Sequence, residues 1–490
     1  MKKTQTRLLG SLALALALIF LGSCSGSKPQ PPAQTTAAQT ELETENPYDE
    51  NGYLKDNLPA DLNYDKTINL LCWKTATVDE FGTEEQNEKT NSISQAFYSR
   101  NRTVEARLGV TLMMEQIDGD NKNMRAFCSH AMNGIMGGSN YDLIGCYSMA
   151  GGTLSVQNAL QDLLPLRYTE LEHPWWSQKM QEISRIDGKQ YVVTGDISGE
   201  LLYNMMFLVY NTEIGENEGL SDPREFVFDG TWTVDKMLEV ASGVYADLND
   251  SKVKDVGDRF GLIVSTQVLI DGFFYGCGYT ITEETEQGEI RLTADYNGVH
   301  AYDLFSKLNR FLQSDYGIYD NGNAAFKQGK ALIGTAQAAS FAAIKENGWR
   351  YSILPFPKAS ETQQDYYSAL GFGHSFYGVP VSAADPEMSG AVLECLASEG
   401  YRTTTPEIFQ RVFRHYTFDE PDWRIFNLIK DGIISDHARI FSERFNWSKG
   451  ALGMMRNCVI NNTADSFLAK VRENESYING VFDEIMKKGQ

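Results

Sequence analysis

Between Thr67 and Tyr147 short apolar runs alternate with longer stretches whose apolar residues recur at helical spacing, and this alternation restricts the fold more than any other feature. Thr67 to Trp73 (TINLLCW), Val110 to Gln116 (VTLMMEQ) and Tyr141 to Tyr147 (YDLIGCY) read as strands. Between the first two, Ile93, Phe97, Val104 and Leu108 share one helix face, and a second helical stretch runs from about Met124 to Met136. Strand, helix, strand, helix, strand with short joints calls for right-handed crossovers and a parallel sheet covered by helices. Ligands of such sheets meet the loops at the carboxyl ends of the strands. Those loops begin here at Trp73 and at Tyr147-Ser148.

The same style continues downstream. Thr233 is placed to cap a helix whose Val234, Met237, Leu238, Ala241 and Tyr245 form one face, and Asp385-Pro386 opens another with an N-cap and a proline at the first helical position. Arg259 to Val264, Ala331 to Thr335, Tyr351 to Pro357 and Ser375 to Val381 read as strands, with helices at Tyr302 to Leu312 and Asn323 to Gln328. From about Thr405 the chain reads as helices without a repeat.

The N-terminus has a different character. Lys2, Lys3 and Arg7 precede an apolar run from Leu8 to Leu21, and Leu21-Gly22-Ser23-Cys24 closes it. That order is a signal peptide, 1–23, ending in a lipobox. The run is too short to cross about 30 Å of hydrocarbon, so the expectation is cleavage and acylation of Cys24, with the acyl chains as the only link to the membrane. Residues 24–62 carry almost no branched aliphatics and are expected to form a disordered tether. Ser25 and its neighbours lack an acidic export run, which favours the outer face of a Gram-positive cytoplasmic membrane, with a Gram-negative periplasmic location as the alternative.

About 430 residues remain, enough for two lobes. The leader removes three cations and no acid, taking the net charge from −22 to −25, a balance that repels phosphate backbones and argues against nucleic-acid binding. The six cysteines after Cys24 form no CxxC, and Cys72 and Cys146 sit inside apolar runs, so free buried thiols are expected rather than a disulfide framework. Six histidines without an HExxH give no zinc site. No GxSxG, P-loop or lysine-centred motif is present, no cofactor is implied, and pairing carboxylates among 65 acids has no value as a sign of glycosidase chemistry.

A series of short motifs then recurs in a fixed order between Ile68 and Ser398. They are Tyr141-Asp142-Leu143-Ile144, Asp162-Leu163-Leu164-Pro165-Leu166, Pro174-Trp175-Trp176, Asp187-Gly188-Lys189-Gln190-Tyr191, Tyr210-Asn211 and Thr231-Trp232-Thr233. Ala325 to Ala331 (AFKQGKA), Leu354-Pro355-Phe356-Pro357 and Tyr377-Gly378-Val379-Pro380 complete the set. In this order they resemble the extracellular solute-binding lipoproteins of carbohydrate ABC importers. The resemblance implies an α/β, two-lobed periplasmic-binding-protein fold of type II, with an interlobe cleft and crossing hinge strands. Lobe 1 would comprise 63–192 and 373–420, lobe 2 would comprise 193–372, and the helices of 421–490 would pack on lobe 2. The crossings are expected near Tyr191 to Asp196 and Phe372 to Gly378, where Gly195, Gly371, Gly373 and Gly378 would absorb hinge rotation.

Sugars offer apolar faces and a rim of hydroxyls, so their sites combine aromatic platforms with fixed polar groups. On that basis the ligand-binding candidates are Trp73, Tyr147 and Ser148 after the lobe 1 strands, and Asp196, Ser198, Glu200 and Tyr203 after the first crossing. Asp271, Tyr275 and Gln337 are the candidates on lobe 2, with Phe372 and His374 at the second crossing. Trp175, Trp176 and Trp232 are assigned to structure, and Trp447 has no motif behind it. The expected function is capture of a carbohydrate, an oligosaccharide, by a monomer that delivers it to ABC permease subunits without chemistry. A surface glycoside hydrolase or lyase, or a ligand-binding sensor lipoprotein, are the alternatives.

Overall fold

The computed structural model describes residues 46–82, 92–322, 324–416 and 419–487. Cys24, the leader and the start of the expected tether lie outside them. The strands, in chain order, are β1 (Lys66–Trp73), β2 (Val110–Ile117), β3 (Leu143–Tyr147), β4 (Met206–Asn211), β5 (Tyr245–Ala246) and β6 (Arg259–Val264). They continue with β7 (Thr282–Glu284), β8 (Ile290–Leu292), β9 (Gly317–Tyr319), β10 (Ala331–Gln337), β11 (Tyr351–Leu354) and β12 (Ser375–Gly378).

Two sheets make two lobes. The first has the order β12-β3-β1-β2. Its β1 pairs in parallel with both β2 and β3, as the strand–helix alternation demands, and β12 closes the edge antiparallel to β3. The last four residues of β1 and all of β3 are buried, so these stretches carry no charged side chain and do not alternate. Helices Ser92–Leu108 and Pro386–Glu399 pack together on this lobe. The second sheet has the order β11-β4-β10-β6-β5, with β9 added beside β6. Here β4 runs antiparallel to both neighbours while β10, β6 and β9 are parallel. The two expected caps form: Thr233 Oγ1 accepts from the Lys236 amide, and the Asp385 carboxylate accepts from that of Met388.

The first passage between the lobes lies further along the chain than expected, and the return passage lies at the start of its expected stretch. Val193 bridges Tyr377, and Glu200 accepts from the Val78 amide, so the stretch from Val193 to Glu200 still belongs to lobe 1. The passage itself lies at Asn204 to Met206, where Met205 bridges Leu370 and the Gly371 amide donates to the Asn204 carbonyl at 2.7 Å. Gly371 and Gly373 therefore lie on the return passage, whereas Gly195 bridges Trp176 and Gly378 is inside β12. A third passage follows the lobe 1 helices after Glu399. Helix Arg414–Tyr416 contacts helix Phe341–Glu346 of lobe 2, and Glu420–Asp431 then packs on β11. The C-terminal helices Ala451–Ile460 and Phe467–Lys487 cover lobe 2, and the turn His437–Ile440 touches helix Ser148–Val156 of lobe 1.

The tether is shorter than expected. Residues from Asn46 onward lie on lobe 1, with Leu54, Leu58 and Leu62 against its core. Asp56 is the fastening. Its carboxylate pairs with Arg107 at 2.8 Å and Arg402 at 2.9 Å and accepts from Ser398 Oγ at 2.6 Å. Together these hydrogen bonds and charges hold the Asp56 carboxyl well below its ordinary range even though burial acts in the opposite sense. Polar composition alone missed a segment held down by one buried carboxylate. All six described cysteines are free and buried.

Candidate functional site

Between the lobes lies a cavity of about 540 Å³. Lobe 1 supplies Asn121, Arg125, Tyr147 and Met149; the 3-10 turn after β6 supplies Gln267 and Val268; the return passage supplies Phe372. The C-terminal segment completes it with Glu443, Phe445, Asn446, Trp447 and Arg456. Four aromatic rings and a set of amide, carboxylate and guanidinium groups thus face one space.

Tyr147, the last residue of β3, stands on a buried support. Trp73, the last residue of β1, meets it edge to face with centroids 5.3 Å apart, and the Trp73 indole donates to Ser375 Oγ at 2.8 Å. Trp73 is 1% exposed and does not line the cavity. In place of the expected ligand contact Trp73 supports Tyr147, because its ring lies behind the tyrosine and is held there by Ser375. Ser148, also buried, donates to the Phe372 carbonyl at 2.7 Å and so ties lobe 1 to the return passage.

Beneath these groups is a carboxylate that the sequence reading did not single out. Glu80 is fully buried and accepts from Ser375 Oγ, Tyr377 Oη at 3.1 Å, Ser198 Oγ at 3.1 Å and the Glu200 amide at 3.3 Å. Burial raises its pKa against these donors. Glu200 in turn accepts from the Thr77 and Val78 amides, and burial with the neighbouring Glu80 pushes it up to about 7. Ser198 and Glu200 thus bind the loop after β1 to β12 and to the stretch before the first passage. Asp196 accepts from Thr405 Oγ1 at 2.8 Å, and burial lifts it to about 6. Tyr203 packs against Phe413. Gln337 ends β10 beside Gly371. His374 is buried with Nδ1 on the Gly371 carbonyl at 2.9 Å, and burial takes it down to about 4. None of these lines the cavity.

The lobe 2 wall is built on a buried ionic cluster. Asp271 receives Arg456 through Nε at 2.8 Å and Nη2 at 2.6 Å, and it also receives Arg439. Arg439 donates to the Leu370 carbonyl and lies over the Phe372 ring at 4.4 Å; Arg456 lies over Phe372 at 5.4 Å and over Trp447 at 5.6 Å. Tyr275 donates to Asp436 at 2.9 Å from inside the core. Of the twelve expected ligand-binding residues, Tyr147 and Phe372 line the cavity, and Asp271 acts through Arg456.

Neither a family model nor a curated protein matches the chain. Solved structures do. An ABC substrate-binding protein of Listeria monocytogenes in complex with cycloalternan superposes with a TM-score of 0.55 at 13% identity, over 85% of this chain and 99% of that one. The cyclic α-maltosyl-1,6-maltose binding protein of Arthrobacter globiformis gives 0.57 at 12% identity, over 86% and 99%. An ABC transporter solute-binding protein of Thermotoga lettingae bound with α-D-tagatose gives 0.52 at 13%, over 85% and 100%. This is the fold of ABC transporter solute-binding proteins.

Trp447, Arg456, Gln267, Asn121 and Arg125 were absent from the expected site. Arg456 did leave a trace in the sequence: it is the one charge in the apolar helix Ala451–Ile460, and a charge placed there needs a buried partner. Trp447 also had a signal, being a large aromatic that stays 47% exposed next to that helix, but only the fold brings it opposite Tyr147. Asn121 and Arg125 follow β2 at its carboxyl end, where the sheet argument places ligand loops.

Proposed function

We propose that this chain captures a carbohydrate, an oligosaccharide, in the interlobe cleft and delivers it to the permease subunits of an ABC importer without altering it. The observation that carries the reading is the cavity shared by both lobes, where Trp447, Tyr147 and Phe372 offer ring surfaces beside Gln267, Asn121 and Arg456. Aromatic surface for apolar sugar faces and fixed polar groups for hydroxyls are the two requirements of such a site. Fold neighbours that carry cycloalternan and tagatose support the ligand class. A glycosidase would need two carboxyls about 5–9.5 Å apart; the cavity lining contains one acid, Glu443, and it is paired with Arg125.

In this reading closure of the lobes over the sugar excludes water and creates the surface that the permease recognises. Acylation of Cys24 would hold the receptor, as a monomer, on the outer face of a Gram-positive cytoplasmic membrane. The test is thermal unfolding of the chain from Ser25 onward against mono- and oligosaccharides, amino acids, peptides and polyamines. A sugar should raise the midpoint in a concentration-dependent way. If amino acids, peptides or polyamines raise it and no sugar does, carbohydrate capture is lost.

A further inference from the structure

The cleft of this strongly acidic chain is itself cationic. Three charged residues line it: Arg125, Glu443 and Arg456. Arg125 and Glu443 pair with each other, which leaves the charge of Arg456 to be balanced from behind. There Asp271 serves two guanidiniums at once, Arg456 and Arg439, each with a side chain only 4% exposed. Across these five groups cations outnumber acids by three to two.

The next buried acid, Asp436, lies behind Arg439, and each favours the other's charged form, but its hydrogen bonds go elsewhere. Asp436 accepts from Tyr275 Oη at 2.9 Å, from the Ile281 amide at 2.6 Å and from the Ala438 amide at 3.0 Å, with no hydrogen bond to either arginine among the described residues. Burial raises its carboxyl above the ordinary range. Asp120 lies near Tyr147 but is exposed and holds the Asn123 amide. Burial is the main influence on both Tyr147, which it raises, and His374, which it lowers; the charge of Arg439 acts on both in a smaller measure.

The geometry of Arg456 says where the surplus points. Asp271 takes its Nε and Nη2, and Phe372 and Trp447 lie within 5.6 Å of the guanidinium carbon. Nη1 has no hydrogen-bond partner among the described residues, and Arg456 is a lining residue of the cavity. A guanidinium fixed on one edge by a carboxylate and bounded by rings presents its other edge to an incoming acceptor, and a charged acceptor gains most from it.

We infer that the ligand is an anionic carbohydrate, whose carboxylate or sulfate group is received by Arg456 while its ring lies against Trp447 and Tyr147. This rests on the carbohydrate-capture reading and narrows it to uronate-containing or sulfated oligosaccharides. A neutral oligosaccharide would leave the surplus charge unanswered in a closed cleft, which is costly.

Calorimetric titration of the chain from Ser25 onward with trigalacturonate, its carboxyl-reduced galactose trimer, a sulfated chondroitin disaccharide, maltotriose and inorganic sulfate separates the possibilities. A uronate or sulfated sugar should bind at least about tenfold more tightly than its neutral counterpart, with affinity falling as salt rises. Arg456→Gln should erase that preference. Arg125→Gln, at an exposed position, should lower it without disturbing folding, and the reduced trimer tests the same point with no variant at all. If maltotriose or the galactose trimer binds as well as the acidic sugars, or better, the charge inference is overturned and carbohydrate capture stands. If inorganic sulfate binds and no sugar of either kind does, anion recognition stands and the carbohydrate reading falls.

Discussion

Trp73 and Tyr147 meet edge to face at the carboxyl ends of neighbouring parallel strands, their ring centroids 5.3 Å apart at an interplanar angle of 75°. One ring faces the cavity and the other is sealed behind it, hydrogen-bonded to Ser375. The pair divides a single job into contact and support, and the two substitutions should therefore separate. Tyr147→Ala should weaken ligand binding with a modest loss of stability. Trp73→Ala should cost about 3–5 kcal/mol of folding free energy and weaken binding as well, because Tyr147 loses its backing. Denaturant unfolding and calorimetry on the same samples check both; equal stability losses would refute the division.

Trp447 is the most exposed of the rings that line the cleft. Truncating it removes contact area with little effect on packing. Trp447→Ala is expected to lower affinity about 10- to 100-fold, the effect of losing roughly 1.5–3 kcal/mol of aromatic burial against the ligand, while the unfolding midpoint without ligand stays within a few degrees.

Asp271 holds two buried guanidiniums. Asp271→Asn would leave both without their counter-charge, and breaking a buried pair in this way costs about 3–5 kcal/mol. Denaturant unfolding should show that loss. Binding should also suffer, since the edge of Arg456 that faces the cavity is set by the edge that Asp271 grips.

The return passage has no room for a side chain at Gly371. A Cβ there would come within 2.0 Å of Gln337 Nε2 and 2.6 Å of Asn204 Oδ1. Gly371→Ala should push Asn204 and Gln337 aside exactly where the two passages are bonded, lowering the unfolding midpoint and altering the ligand-induced change in small-angle scattering. An unchanged scattering profile with and without ligand, relative to wild type, would show that this contact does not matter to lobe closure.

Two buried groups near the passages give stability opposite dependences on pH. His374 sits at about 4, below its ordinary 6.5, so its neutral form favours folding above pH 6.5, and that contribution is lost as the pH falls from 6.5 to 4. Glu200 sits at about 7, above its ordinary 4.5, so the folded state holds its proton more tightly, and its contribution is lost as the pH rises from 4.5 to 7. Glu200→Gln should flatten the second slope and leave the first; His374→Gln should do the reverse. Unfolding free energies measured from pH 4 to 8 decide it.

The architecture was legible because hydrophobic period and caps are local: β1 to β3 and the helices between them follow from Ile93, Phe97, Val104 and Leu108 recurring on one face, and Thr233 and Asp385 mark helix starts by their own chemistry. The site was legible only at Tyr147 and Phe372, which sit where a strand end and a lobe passage fix them. Trp73 looked equivalent to Tyr147 because both end strands buried on both faces, and no alternation says which one meets the cavity. Asp196, Ser198 and Glu200 lie away from the cavity for a different reason. Polar groups at a lobe passage serve a ligand or one another, and the choice was made by Glu80, far away in sequence and carrying no motif. Arg456 and Trp447 come from a C-terminal segment whose placement against β3 is a matter of tertiary contact alone.

The Asp56 fastening also fixes how the molecule carries load. Any pull on the chain upstream of Asn46 enters through Asp56 and passes to Arg107 and Arg402, and so to helix Ser92–Leu108 and the turn after Glu399, both on lobe 1. Lobe 2 is joined to that frame through the three passages and through the contacts of His437–Ile440 and Glu443 with lobe 1. A force applied at the N-terminus is therefore delivered to one half of the molecule, and the other half feels it at second hand.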